Sequence, residues 1–254
     1  LMGEVNGDEG NAMTVSKTFS EPGRLHATFN FDLLEWTGLS VSEIKGAIAN
    51  AIEEFNGSGR LCFAFSNHDV PRSASRQLSP LGITLDKQDD LQLLLLQLET
   101  SLIGSCCIYQ GEELGLSDVT NIQFDKMKDP WGLNFYPEFL GRDTCRTPMV
   151  WEKNKPMGGF TSANESWLPI SELHMEKAGL DMANSEGSIY NKFSSFLKWR
   201  RKQPAMISSN KMSELFGGPS EIIFDRESET QILRCKFDFE LVKATFEEVT
   251  YGTS

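Results

Sequence analysis

Leu61-Cys62-Phe63-Ala64-Phe65-Ser66-Asn67-His68-Asp69-Val70-Pro71-Arg72 is the stretch on which the fold turns. It opens as an apolar, Phe-rich run of strand length and ends abruptly in polar and ionisable residues. A His-Asp pair placed where a strand stops lies at that strand's C-terminal end. In a parallel βα barrel this end is the active-site face, where such residues are catalytic. A turn that merely caps a strand with Asn and Asp has the same appearance. Spacing alone does not choose between the two.

Working outward, a helix is expected over residues 86–103, with Asp86 as N-cap, Asp89 and Asp90 in the first turn and Gly104 at C′. Leu91, Leu93 to Leu96 and Leu98 make it apolar on most sides, so it should be well buried. Residues 105–109 read as the next strand. Upstream, Ser40-Val41-Ser42-Glu43 is a capping box, and Val41, Ile44, Ala47, Ile48, Ala51, Ile52 and Phe55 line one helical face after it. Asn56-Gly57-Ser58-Gly59 precedes a strand and reads as a turn, not a phosphate loop. Residues 26–31 alternate as a strand does, residues 6–21 read as a Gly- and Asn-rich loop, and Leu1 to Val5 is a short apolar run carrying Glu4.

Past residue 115 a long Gly-, Pro- and Trp-rich region runs to about residue 188, and loops of that length inside a compact domain are usually functional. A helix over residues 189–203 follows, stopped by Pro204. Short β-like runs at 221–224 and 231–239 then indicate a change of architecture. Four strands, each followed by helix or long loop, are half of what a (β/α)₈ barrel needs. The expected fold is therefore α/β: the C-terminal half of a TIM barrel over residues 1–204, then a small all-β C-terminal domain, whole or in part, over 205–254.

The composition excludes several classes. A net charge of −12 leaves no basic face for nucleic acid. The run from 91 to 103 is broken by Gln92, Gln97 and Glu99 and is too short to span a bilayer, so no membrane partner is expected. Five cysteines without paired spacing fit free thiols in a reducing, cytoplasmic compartment. His26, His68 and His174 are too scattered for a metal cluster, and nothing calls for a cofactor. The first residue is Leu within a strand-like run, so the chain reads as part of a longer protein.

Ser66-Asn67-His68-Asp69 with Val70-Pro71-Arg72 resembles the fourth conserved motif of the alpha-amylase superfamily, in the form found in bacterial alpha-glucosidases. Gly141-Arg142-Asp143-Thr144-Cys145-Arg146-Thr147-Pro148-Met149-Val150-Trp151 is very similar to a loop that alpha-glucosidases and oligo-1,6-glucosidases carry after strand eight. Residues 104–115, ending Tyr109-Gln110-Gly111-Glu112-Glu113, resemble that eighth strand and its turn, with Cys106 where the family usually has Pro. Gly158-Gly159-Phe160-Thr161 resembles the segment that follows the loop in relatives.

The resemblance implies a retaining alpha-glucosidase that releases terminal alpha-linked glucose from oligosaccharides or disaccharides. It makes Glu4 the general acid/base, Asp69 the transition-state stabiliser, and His68 and Arg146 substrate-binding residues, while Arg142 holds the loop; Glu112 and Glu113 read structurally, as braces of the turn and not as sugar contacts. Without the family, two Arg four apart beside an Asp are a loop-stabilising salt bridge. Trp131, Trp151 and Trp167 are candidates to stack on sugar or simply to pack. The family's nucleophile belongs to a Gly-x-Arg-x-Asp motif that these residues do not contain. The chain alone is thus expected to be inactive, with the N-terminal half of the barrel as its missing partner. Isomerases and transglycosylases of the same superfamily share every motif quoted, and a non-catalytic, partner-binding relative is the reading from another class.

Overall fold

The computed structural model describes residues 1–5, 7, 11–55, 60–208 and 211–250. A parallel sheet of four strands in sequence order holds β1 (Met2–Gly3), β2 (Ala27–Phe29), β3 (Leu61–Phe63) and β4 (Ser105–Cys106). Gly3 pairs with Thr28, Thr28 with Leu61, and Cys62 with Ser105. The ladder continues beyond the short strands: Asn30 N–H donates to Cys62 O at 2.8 Å and Cys107 N–H to Phe63 O at 2.9 Å. Four parallel strands share one direction, so all four C-terminal ends lie on one edge of the sheet.

Helices fill the connections. Between β1 and β2 lies α1 (Ala12–Phe19), a helix in place of the loop expected over residues 6–21. Thr14, Val15, Ser16 and Thr18 are weak helix formers, so local propensity gives no signal here. Tertiary contacts decide it: Ser16 is buried, its Oγ donates to Val5 O, its carbonyl accepts from Thr28 Oγ1, and Met13 packs on the main core. The expected turn at Asn56–Gly59 lies outside the described residues.

The capping box on Ser40 forms as expected and starts α2 (Val41–Glu54), with Glu43 N–H donating to Ser40 Oγ and Ser40 N–H to the Glu43 carboxylate. Its buried face is Ile44, Ala47, Ile48 and Ala51. After β3 come α3 (Ser73–Arg76) and α4 (Gln88–Ser101). The N-cap position of α4 is Lys87, because Asp86 sits inside a 3₁₀ turn and hydrogen-bonds Thr84 instead. Leu102 takes the C-cap, and Gly104 lies two residues beyond it at φ +93°. A Cβ there would meet Leu61 O at 2.8 Å, so glycine is required both for its backbone and for the approach to β3.

Helix α4 is buried nearly all round, as its leucines foretell. Its C-terminal carbonyls, orphaned by helix geometry, are met by arginines: Arg200 Nε donates to Thr100 O, and buried Arg226 Nη1 to Ser101 O and Leu102 O. Glu99 on the same helix is also buried. Burial and the neighbouring Glu112 push its carboxyl well above the usual range. The Phe65 and Cys107 amides approach it, yet neither oxygen completes a hydrogen bond among the described residues.

The long region carries α5 (Pro130–Phe135), α6 (Glu172–Met175) and α7 (Gly179–Asn184) before α8 (Ile189–Arg200) and α9 (Pro204–Ile207). An antiparallel sheet closes the chain: β5 (Lys211–Met212), β6 (Glu221–Glu227), β7 (Ile232–Asp238) and β8 (Lys243–Glu248). Its alternating inner face, Ile222, Phe224, Leu233, Cys235 and Phe237, joins Ile44, Ile48, Leu91, Leu94 and Leu98 in one buried cluster. The second sheet thus buries itself against the helices of the first and does not stand apart. Among the described residues no helix is long and apolar enough to cross a membrane.

Candidate active site

Beyond β3 the chain turns on Asn67, whose Oδ1 accepts from the backbone N–H of Asp69 at 2.8 Å and of Val70 at 3.2 Å. This Asx turn presents His68 and Asp69 to solvent, with side chains 56% and 40% exposed. The His68 Nε2 lies 3.4 Å from Asp69 Oδ2. The turn reading holds here: Asn67 makes the turn, and the turn displays the pair.

The Asp69 carboxylate is met from the loop after β4. Arg146 Nη2 donates to Asp69 Oδ1 at 2.7 Å, and Arg146 Nε to His68 O at 2.6 Å. Arg142 Nη1 reaches the same Oδ1 at 3.1 Å. One oxygen therefore carries both guanidinium groups, and Oδ2 is left beside His68. A planar guanidinium can pair with a carboxylate and keep N–H groups for hydroxyls.

Each arginine is held from behind. Arg142 pairs with buried Asp129: Nη2 donates to Oδ1 at 2.7 Å and Nε to Oδ2 at 3.0 Å, while its backbone N–H also reaches Oδ2 at 2.7 Å. The side-chain hydrogen bonds from Arg142 hold the Asp129 carboxyl down to about 2. Asp129 also caps α5, accepting from Trp131 N–H, with Pro130 at the first helical position. The carbonyl of Cys145, next to Arg146, accepts from Tyr109 Oη at 3.1 Å and from buried Arg72 Nη2 at 3.0 Å. Arg72 in turn lies 5.1 Å over the Tyr109 ring and its backbone N–H meets Asp118.

The turn after β4 is braced by its glutamates. Glu112 accepts from Tyr109 N–H and Ser73 Oγ, and Glu113 from Gly111 N–H. Burial raises the carboxyl of Glu112, with the Ser66, Tyr109 and Ser73 hydrogen bonds opposing.

Glu4 follows β1 directly and is exposed. β1 and β3 flank β2, about 10 Å apart at standard strand spacing, so Glu4 and Asp69 stand on the same edge of the sheet. His68, Asp69, Arg142 and Arg146 form one hydrogen-bonded group, and Glu4 lies across β2 from it. Arg142 does hold the loop, but it also touches Asp69, which the sequence did not show. Its loop partner is Asp129, not the adjacent Asp143, whose Oδ2 accepts instead from the Lys128 and Asp129 amides. Asp129 was missed altogether; its one local signal is the Asp-Pro-Trp start of a helix. Among the described residues no group of three or more His, Cys, Asp or Glu is placed to hold a metal ion.

A family model of the alpha-amylase catalytic domain matches residues 2–209. A probable alpha-glucosidase of Rhizobium meliloti (strain 1021) is 37% identical over 209 residues, 81% of this chain and 36% of that protein. Maltase A1 of Drosophila melanogaster is 30% identical over 184 residues, 70% of this chain and 30% of that one. Among solved structures, the alpha-glucosyl transfer enzyme XgtA superposes with a TM-score of 0.81 at 32% identity, covering 94% of this chain and 42% of that one. The isomaltulose synthase of Erwinia rhapontici NX5 shares the fold, with a TM-score of 0.78 at 21% identity over 94% of this chain and 46% of that one. The chain spans about a third of the length of these curated relatives. It belongs to the alpha-amylase superfamily of glycoside hydrolases and is alpha-glucosidase-like among them.

Proposed function

We propose that this chain is the acid/base-bearing half of a retaining alpha-glucosidase that releases terminal alpha-linked glucose from short oligosaccharides or disaccharides. The observation that carries the reading is Asp69 Oδ1 clamped by Arg142 and Arg146 at the C-terminal edge of a parallel sheet, with Oδ2 and His68 facing out. A carboxylate fixed in this way accepts sugar hydroxyls without having to be reorganised, and it opposes the positive charge that grows on the ring in an oxocarbenium-like transition state. Glu4 is the general acid that protonates the leaving oxygen and then the base that activates water. His68 and Arg146 donate to the hydroxyls of the same glucose.

The nucleophile and the other four strands come from the N-terminal half of the barrel, and the chain by itself hydrolyses no alpha-glucoside. Likeness to an alpha-glucosyl transfer enzyme at 32% identity favours a second reading. In it the same glucosyl intermediate is captured by a sugar acceptor instead of water.

Glu4→Gln in the full-length enzyme tests the assignment. It should lower kcat at least 100-fold for oligosaccharides, whose leaving oxygen needs a proton, and far less for activated aryl glucosides. Equal losses on both substrates remove Glu4 from the acid role.

A further inference from the structure

Three tryptophans in the long region are half-exposed: Trp131, Trp151 and Trp167. Trp131 differs in being tied to the clamp on Asp69. The Arg142 guanidinium lies 5.0 Å from the centre of its ring, and that same guanidinium donates to Asp69 Oδ1. A ring at Trp131 is therefore one guanidinium away from the carboxylate assigned to the reacting glucose.

The ring is also fixed in place. Asp129 caps the helix that carries Trp131, and it binds Arg142 at the same time. Gly132 and Gly141 let that helix press onto the loop: a Cβ on Gly132 would meet Leu140 O at 2.5 Å, and one on Gly141 would meet Gly132 N at 2.6 Å. Phe139 braces the ring from the side with centroids 6.3 Å apart, and Trp36, 5.3 Å from Phe139, braces that ring in turn. Yet 53% of Trp131 stays exposed. A rigid aromatic left open beside a polar site binds at little entropic cost.

We infer that Trp131 is a stacking platform on the leaving-group side of the pocket, taking the aglycone ring of the substrate next to the glucose held by Asp69. The apolar C–H face of a pyranose, or an aryl group, fits the electron-rich face of indole. The leaving-group side follows because an enzyme that takes terminal glucose has sugar on that side alone, so this inference rests on the proposed function.

The test compares two substrates in the full-length enzyme. Methyl alpha-glucoside has no ring in its leaving group, and maltose has one. Trp131→Ala also takes the ring away from Arg142, so kcat/KM should fall on both substrates, but about tenfold further for maltose than for methyl alpha-glucoside, while Trp131→Phe should keep both within about threefold. If the alanine variant fails to fold, Trp131→Leu, which keeps apolar bulk without a π face, carries the same comparison. Equal losses on both substrates, or no loss on either, overturn the platform and leave the glucosidase reading standing. A wild-type enzyme that turns over neither of these, nor isomaltose or sucrose, overturns the glucosidase reading itself, and the platform with it.

Discussion

Asp129→Asn should loosen the arginine loop by a calculable amount. The carboxylate takes four donors on two oxygens: Arg142 N–H and Nε on Oδ2, and Arg142 Nη2 with Trp131 N–H on Oδ1. An asparagine keeps one oxygen and turns its NH₂ group toward donors, so at best one side of the bidentate pair survives. Losing charge-assisted hydrogen bonds at a buried site costs about 1.5–3 kcal/mol each. Linkage gives a second figure. The carboxyl is held at about 2 against an ordinary value of 3.8, and at about 1.4 kcal/mol per pH unit that is on the order of 2 kcal/mol. The folded value is depressed, so this stability is present above pH 3.8 and is lost as the pH falls toward 2. Amide hydrogen exchange in peptides covering residues 128–146 measures it. At pH 7 the variant should exchange about 30-fold faster than wild type, and the ratio should shrink toward one near pH 2. A ratio below about threefold at pH 7, or one that ignores pH, would refute the buried pair as the loop's anchor.

Two further perturbations probe the core. Phe224→Ala, on the inner face of the second sheet, should lower stability by about 3–5 kcal/mol in urea denaturation, because Phe224 is fully buried in the shared cluster; a loss below about 1 kcal/mol would show that the second sheet is not part of that core. Glu99→Gln works through pH. The folded carboxyl titrates above its unfolded value, so the wild type is penalised as pH rises above about 4.5, by up to about 1.4 kcal/mol per unit until the folded carboxyl itself ionises. The variant should therefore gain on wild type in Tm between pH 5 and 8, and a constant difference across that range would contradict a buried neutral Glu99.

What could be read from the sequence was set by how local its cause is. The α2 capping box, the buried leucines of α4 and the polar end of β3 each depend on neighbours within a few residues, and the structure shows all of them. Helix α1 could not be read, because its stability comes from Ser16 bonding Val5 and Thr28 and not from Thr14, Val15 or Thr18. The end of β2 was hidden for a related reason: Asn30 N–H still donates to Cys62 O in the ladder, while its Oδ1 accepts from Asp32 N–H and turns the chain, a contact that periodicity does not encode.

The site divides the same way, and the division explains its build. His68, Asp69 and Arg146 stand in compact sequence blocks, because one Asx turn and one loop display them. The residues that hold those blocks lie far off along the chain. Asp129 anchors Arg142 from 13 positions upstream, and Arg72 fixes the Cys145 carbonyl from 73 positions away. Both supports are buried and charged, so they are costly unless paired, and pairing them commits the loop to one geometry. That commitment places two guanidinium groups on a single oxygen of Asp69 and keeps the other oxygen turned toward His68. A loop held only by surface contacts would let either arginine swing onto Oδ2 and take the position left open beside His68. The buried pair behind the loop is thus a condition for the open oxygen in front of it.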